Sequence, residues 1–267
     1  MGARLLGVQG SDKSTFIAAA RELLQRIATT QGEALEQASR ICFEAIAGGG
    51  LVHAFGTGHS RIPVEELFPR YGSFPGFNPI VELSMTFHTQ VVGANGQRQA
   101  MFIERVEGLA EQIFASYDLG PPDAMLVFSA GGLTAVPIEM AIGARSRGLP
   151  VVAVTSVAHA SAGTPSHSSG TRLPDHADVV VDLCTPPGDA LIQLDGVDTP
   201  VSPGSTVAAV AIANEIKART AAALADRGLL PPVITSSALV GRERSAELFE
   251  AAYAEHARRV GRALRRE

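Results

Sequence analysis

The chain has 267 residues, 46% of them hydrophobic and only 18% charged, so it can bury a large core and is not intrinsically disordered. Its 22 basic residues are outnumbered by 27 acidic ones, and the net charge of -5 argues against a general nucleic-acid binder. Cys42 and Cys184 are too few for a disulfide framework and read as free thiols of a cytoplasmic protein. Met1 to Gly10 is short and broken by glycines, unlike a signal peptide, and no run of about 18 apolar residues marks a membrane span.

Ser14 to Ala47 carries helical spacing in two segments, through Phe16, Leu23 and Ile27 and then Leu35, Ile41 and Ala45, and Gly48-Gly49-Gly50 ends it. From Leu51 onward, short apolar runs alternate with helical periods. The runs Leu51 to Phe55, Pro79 to Leu83, Ala124 to Phe128, Pro150 to Thr155 and Val179 to Leu183 read as strands. Ile62 to Tyr71, Met101 to Tyr117, Ala135 to Arg147, Ser205 to Ala225 and Arg242 to Leu264 read as helices. Continuous apolar strands separated by helices predict an α/β fold: a doubly wound, five-stranded parallel sheet sandwiched by helices, with extra N-terminal helices. The expected division is a helical region over 1–50 packing on the core, a sheet domain over 51–240 and a C-terminal helix over 241–267 with a solvated face and a fraying Arg-rich end. Val157 to Ala177 and Cys184 to Gly204 read as long irregular stretches, which in a compact domain are usually functional or mobile.

Ligands of such sheets bind beyond the carboxyl ends of the strands. After the first strand comes Gly56-Thr57-Gly58-His59-Ser60, where two glycines permit a tight turn and Ser60 opens a helix whose free amides can hold an anion. It is not a dinucleotide fingerprint, because the third glycine is missing. After Ala124 to Phe128 comes Ser129-Ala130-Gly131-Gly132-Leu133-Thr134, again opening a helix, and Thr155-Ser156 is a third hydroxylated strand end. Read simply, each is a capped turn; read together, the three ends can ring a phosphate with neutral donors.

These loops resemble the sugar isomerase (SIS) domain, and within it the bacterial SIS proteins that are similar to phosphoheptose isomerases. The resemblance spans roughly residues 15 to 240 and rests on GTGHS, EELF (Glu65–Phe68), AVPIEMA (Ala135–Ala141), PSHSSG (Pro165–Gly170) and PPGDA (Pro186–Ala190). It implies a five-stranded parallel sheet that binds phosphosugars, with Ser60, Ser129 and Thr134 contacting the phosphate and sites completed across a homodimer or higher homo-oligomer. The substrate-binding set is then Gly56, Thr57, Gly58, Ser60, Ser129, Gly131, Gly132, Thr134, Thr155 and Ser156. Two departures stand out. Gly131 occupies the place of a second hydroxyl within S-x-S-G, and Thr89 stands where relatives carry Glu after His.

Aldose–ketose isomerisation needs a base to move a proton between neighbouring carbons and an acid or base to open the ring. Glu66 is the first candidate and Glu65 the second, both on the helix after the first loop; the plain alternative is two solvated carboxylates stabilising that helix. The resemblance implies a functional His six residues after the loop Ser and a Glu ten after it, and here those positions hold Glu66 and Arg70. His59, inside the first loop, and His88, after the second strand, are the histidine candidates; His159, His167 and His176 are weighed beside them. No histidine spacing matches a zinc signature, so no metal and no cofactor are expected. Asn214 shares an apolar stripe of the long helix and reads as a core amide. The expected function is a phosphosugar isomerase working through an enediol. The alternatives are a lyase or etherase on an N-acetylated sugar phosphate, or a sugar-phosphate sensor without catalysis. The expected partner is a phosphorylated sugar, with no nucleic acid and no membrane.

Overall fold

The computed structural model of the chain describes residues 4–5, 15–86 and 96–264. The apolar runs form the strands β2 (Val52–Gly56), β3 (Phe77–Ile80), β4 (Ala124–Phe128), β5 (Val151–Thr155) and β6 (Val179–Asp182), following a two-residue β1 (Arg4–Leu5). They make one parallel sheet in the order β3-β2-β4-β5-β6. Side chains of successive residues point to opposite faces, so each strand feeds two cores. Val52, Ala54, Leu126 and Val154 pack with α1 (Thr15–Thr30), α2 (Gly32–Ala47) and α3 (Arg61–Glu66) on one face. Phe55, Met125, Val127 and Ala153 pack on the other with α6 (Leu109–Phe114) and α7 (Ala135–Ser146), which follow α4 (Leu83–Thr86) and α5 (Gly96–Ile103). The long helix α9 (Ser205–Asp226) lies against α2 and α3 and comes after the short α8 (Val157–Ala162).

The chain leaves β2 through α3 on one face and β4 through α7 on the other. The carboxyl ends of β2 and β4 therefore flank a switch point, where such sheets open a crevice.

Several elements differ from the sequence reading. The helix expected over 62–71 stops at Glu66, because Pro69 disfavours helical backbone at Phe68. The strand expected over 79–83 runs earlier, over Phe77–Ile80. The helix expected over 101–117 is two helices, parted where Gly108 takes a left-handed φ of 86°. The stretch 184–204 holds β7 (Ala190–Gln193) and β8 (Val201–Pro203), which pair antiparallel with each other, and β7 also pairs antiparallel with β1. After α10 (Ser237–Val240), the last helix α11 (Arg242–Ala263) is pinned near its end. Arg259 is buried and donates from Nη1 to the Ile46 and Gly50 carbonyls at 2.9 and 2.7 Å. Among the described residues, no helix is long and apolar enough to cross a membrane.

Candidate functional site

The first loop is shaped by close backbone approach. A Cβ at Gly56 would stand 2.3 Å from the Ser60 carbonyl oxygen, so only glycine lets the chain fold back directly from β2 into the 3-10 turn Gly58–Ser60. The second loop is constrained likewise. Gly132 has φ +63°, and a Cβ there would meet Thr155 Oγ1 at 2.8 Å. The loops touch: the Ala130 amide donates to Ser60 Oγ at 3.3 Å, and the Gly132 amide donates to Ser129 Oγ at 3.1 Å.

Two adjoining cavities of about 330 Å³ each open at this meeting point, and both are lined by Thr57, Ser60, Glu104, Ser129 and Ala130. One continues past Gly131, Gly132 and Thr134 to His159 and Arg105. The other continues past Gly58 and the exposed His59 to Asp189 and Ser205 at the start of α9. Thr134 begins α7 in extended backbone, and its side chain caps no amide.

The sequence-derived set divides. Thr57, Gly58, His59, Ser60, Ser129, Gly131, Gly132 and Thr134 line one or both cavities. Gly56, Thr155 and Ser156 line neither. Thr155 is fully buried and donates to the Ala130 carbonyl at 3.5 Å, while Ser156 caps α8 by accepting from the His159 amide and donating to the Thr185 carbonyl at 2.7 Å. Glu66 and Glu65 also line neither. Glu66 lies further along the seam between α3 and α9, bound by Arg70 at 2.8 Å and by Asn214 at 3.3 Å, with the Lys217 ammonium at 3.9 Å. Burial pushes the Lys217 ammonium pKa down, and the adjacent Glu66 opposes that shift. The positions that the resemblance marks thus do converge, as an ion-pair network. Glu65 pairs with Arg61 at 3.5 Å. His88 and Thr89 lie outside the described residues.

Two carboxylates that the sequence reading passed over face the cavities. Glu104 follows α5 and accepts a 2.7 Å bond from Thr57 Oγ1. Its carboxyl is held above the usual glutamate range chiefly by burial, with the Thr57 bond and then Arg105 working against the rise. Asp189 sits in the left-handed region at φ 70° and closes the start of α9, accepting from the Ser205 amide at 2.8 Å and the Ser205 hydroxyl at 2.5 Å. Glu104 was hidden among Glu107 and Glu111 in what read as one helix over 101–117; the glycine at 108 was the available signal of a break. Asp189 had a signal in its place within PPGDA.

A separate group, Glu107, Glu139 and His167, brings ligand atoms within 4.8 Å of one another and lines neither cavity. His167 Nε2 is 3.6 Å from Glu139 Oε1, and Ser168 donates to Glu107 from both its amide and its hydroxyl. One imidazole and two carboxylates are donors that suit a divalent cation, and equally a polar cluster held by its own contacts.

A family model for the SIS domain matches residues 15–156, a span that includes both loops. The UPF0309 protein of Streptomyces coelicolor is 37% identical over 236 residues, covering 88% of this chain and 92% of its own length. The UPF0309 protein of Caldanaerobacter subterraneus is 34% identical over 223 residues, covering 82% of this chain and 88% of its own. A solved phosphoheptose isomerase from Francisella tularensis aligns with a TM-score of 0.51 at 14% identity, covering 77% of this chain and 94% of that one. That likeness shows a shared fold.

Proposed function

Since the chain belongs to the SIS domain family, we propose that it binds a phosphorylated sugar and interconverts its aldose and ketose forms through an enediol. The observation that carries this reading is the meeting of two hydroxyl-and-amide loops with Glu104 at one crevice. The phosphate is assigned to Ser60, Ser129, Gly132 and Thr134, and the carbon chain to the cavity that ends at Asp189. Glu104 takes the proton from the carbon beside the carbonyl and returns it to the neighbouring carbon, while a hydroxyl proton passes between the two oxygens. A carboxyl raised by burial suits a group that must both accept and return a proton. Glu66 and Glu65, engaged by their own cations, are left out of this assignment. His59, exposed at the cavity, is the candidate for ring opening. The reading includes a cytoplasmic homo-oligomer: Leu83, Met101 and Phe102 are exposed beside the segment that bears Glu104.

A thermal-shift comparison of sugar phosphates with their unphosphorylated forms tests binding, and NMR of any hit in D2O tests the reaction. Stabilisation by the phosphates alone, with deuterium entering at the exchanging carbon, is expected. Equal stabilisation by free sugars would sink the phosphate assignment. Binding without exchange or conversion would leave a sensor.

A further inference from the structure

We propose that the His159 imidazole is a phosphate-binding donor of the second loop, its Nε2–H standing beside Gly131 where that loop has no side chain of its own. The inference rests on the phosphosugar reading and adds a recognition residue to it. Gly131 has an ordinary backbone, so its lack of a Cβ is not demanded by φ. It is matched by its neighbour instead: a Cβ at residue 131 would stand 3.2 Å from His159 Nε2 and 3.3 Å from Cδ2. The ring therefore fills the space that a serine hydroxyl would take, with its polar edge at the loop.

The ring is held from two sides. The His159 amide donates to Ser156 Oγ at 3.2 Å, and Ser156 is itself anchored to the Thr185 carbonyl. Nδ1 accepts from the Gly188 amide at 3.3 Å. An Nδ1 that accepts leaves the proton of a neutral imidazole on Nε2. Among the described residues no acceptor bonds that Nε2–H, and His159 lines the cavity that also contains Ser60, Ser129 and Thr134. A fixed donor among hydroxyls and free amides calls for a ligand rich in acceptors, which is the chemistry of a phosphate oxygen.

Inorganic phosphate is the probe, with Kd measured by titration for four proteins: wild type, His159→Ala, Gly131→Ser and the double variant. Losing one donor to a charged oxygen predicts roughly ten- to hundredfold weaker binding for His159→Ala. Gly131→Ser alone should also weaken binding, because the new Cβ crowds the ring. In the double variant the hydroxyl has room, so it should bind more tightly than His159→Ala. His159→Gln, which keeps an N–H donor near the position of Nε2, should retain more affinity than Ala and guards against a folding artefact. In the wild type, phosphate should shift the Nε2 imidazole resonance and leave the ring in its Nε2-protonated form. Wild-type binding with unchanged affinity in His159→Ala, or a double variant no better than His159→Ala, would overturn this role and leave the phosphosugar reading intact. Failure of the wild type to bind phosphate would remove both.

Discussion

At the amino ends of β2 and β4, His53 and Asp123 are joined at 3.3 Å, with Asn78 on the other ring nitrogen at 3.0 Å and the Leu51 amide on Asp123 at 2.8 Å. At the carboxyl ends of the same strands, Thr57, Ser60 and Ser129 meet around cavities. Both ends hold buried or half-buried polar groups. The first set is closed on itself: Asn78 donates to Nδ1, Nε2–H donates to Asp123, and Arg259 seals the neighbouring carbonyls of Ile46 and Gly50. A Cβ at Gly50 would stand 2.7 Å from Asp123 Oδ1, so even the turn is fitted to that carboxylate. The second set also bonds within itself, Thr57 to Glu104, Ala130 to Ser60 and Gly132 to Ser129, but its hydroxyls sit where two cavities adjoin. A cavity of about 340 Å³ also opens beside Asp123 and Arg259, but there the polar groups already hold one another: polarity spent on internal partners serves the fold, and hydroxyls gathered from two loops at one crevice serve a ligand.

Paired variants are the strongest way to break that contrast. Asp123→Ala strands the Leu51 amide and the His53 Nε2–H, each worth about 1–3 kcal/mol when left unmet, so the expected loss of stability is about 2–6 kcal/mol. Phosphate affinity of the folded fraction should not change. Ser60→Ala gives the reverse: a few tenths to about 1 kcal/mol of stability, and about 1.5–3 kcal/mol of sugar-phosphate affinity. Denaturant melts and binding titrations on the same preparations decide it. If Ser60→Ala melts as early as Asp123→Ala and binds normally, Ser60 belongs to the framework and the contrast between the two ends collapses.

The sequence exposed the two ends unequally. Ala124–Phe128 is an unbroken apolar run of five and 151–154 one of four, a pattern that burial on both faces explains. The glycine–hydroxyl turns that follow them were legible for the same local reason. The His53–Asp123–Asn78 chain was not, because its members come from three strands or strand ends far apart in sequence. Glu104 was missed because its partner Thr57 lies 47 residues earlier. Glu66, by contrast, carried a visible warning: Arg70 stands four residues on, the spacing of a helical ion pair. His159 lay in a stretch that read as irregular, and its ring is placed by Ser156 and Gly188 from either side.

The smallest expected shift in stability concerns Glu104, where function and stability should move in opposite directions. Glu104→Gln keeps the shape and can still bond Thr57, but it cannot accept a proton, so turnover should fall by about 10²–10⁴. Because burial raises the Glu104 carboxyl, the folded chain holds that proton more tightly than the unfolded chain does. This group's contribution to stability is therefore full below the ordinary glutamate value of about 4.3 and declines as pH rises through the raised folded value. Glutamine does not titrate and avoids that decline. The variant should melt slightly above the wild type at neutral pH, and the gap should close as the pH drops toward 4. Melting curves across that range measure it directly. A gap independent of pH would mean that Glu104 is as well solvated in the folded chain as in the unfolded one, and its assignment as the base would lose its physical support.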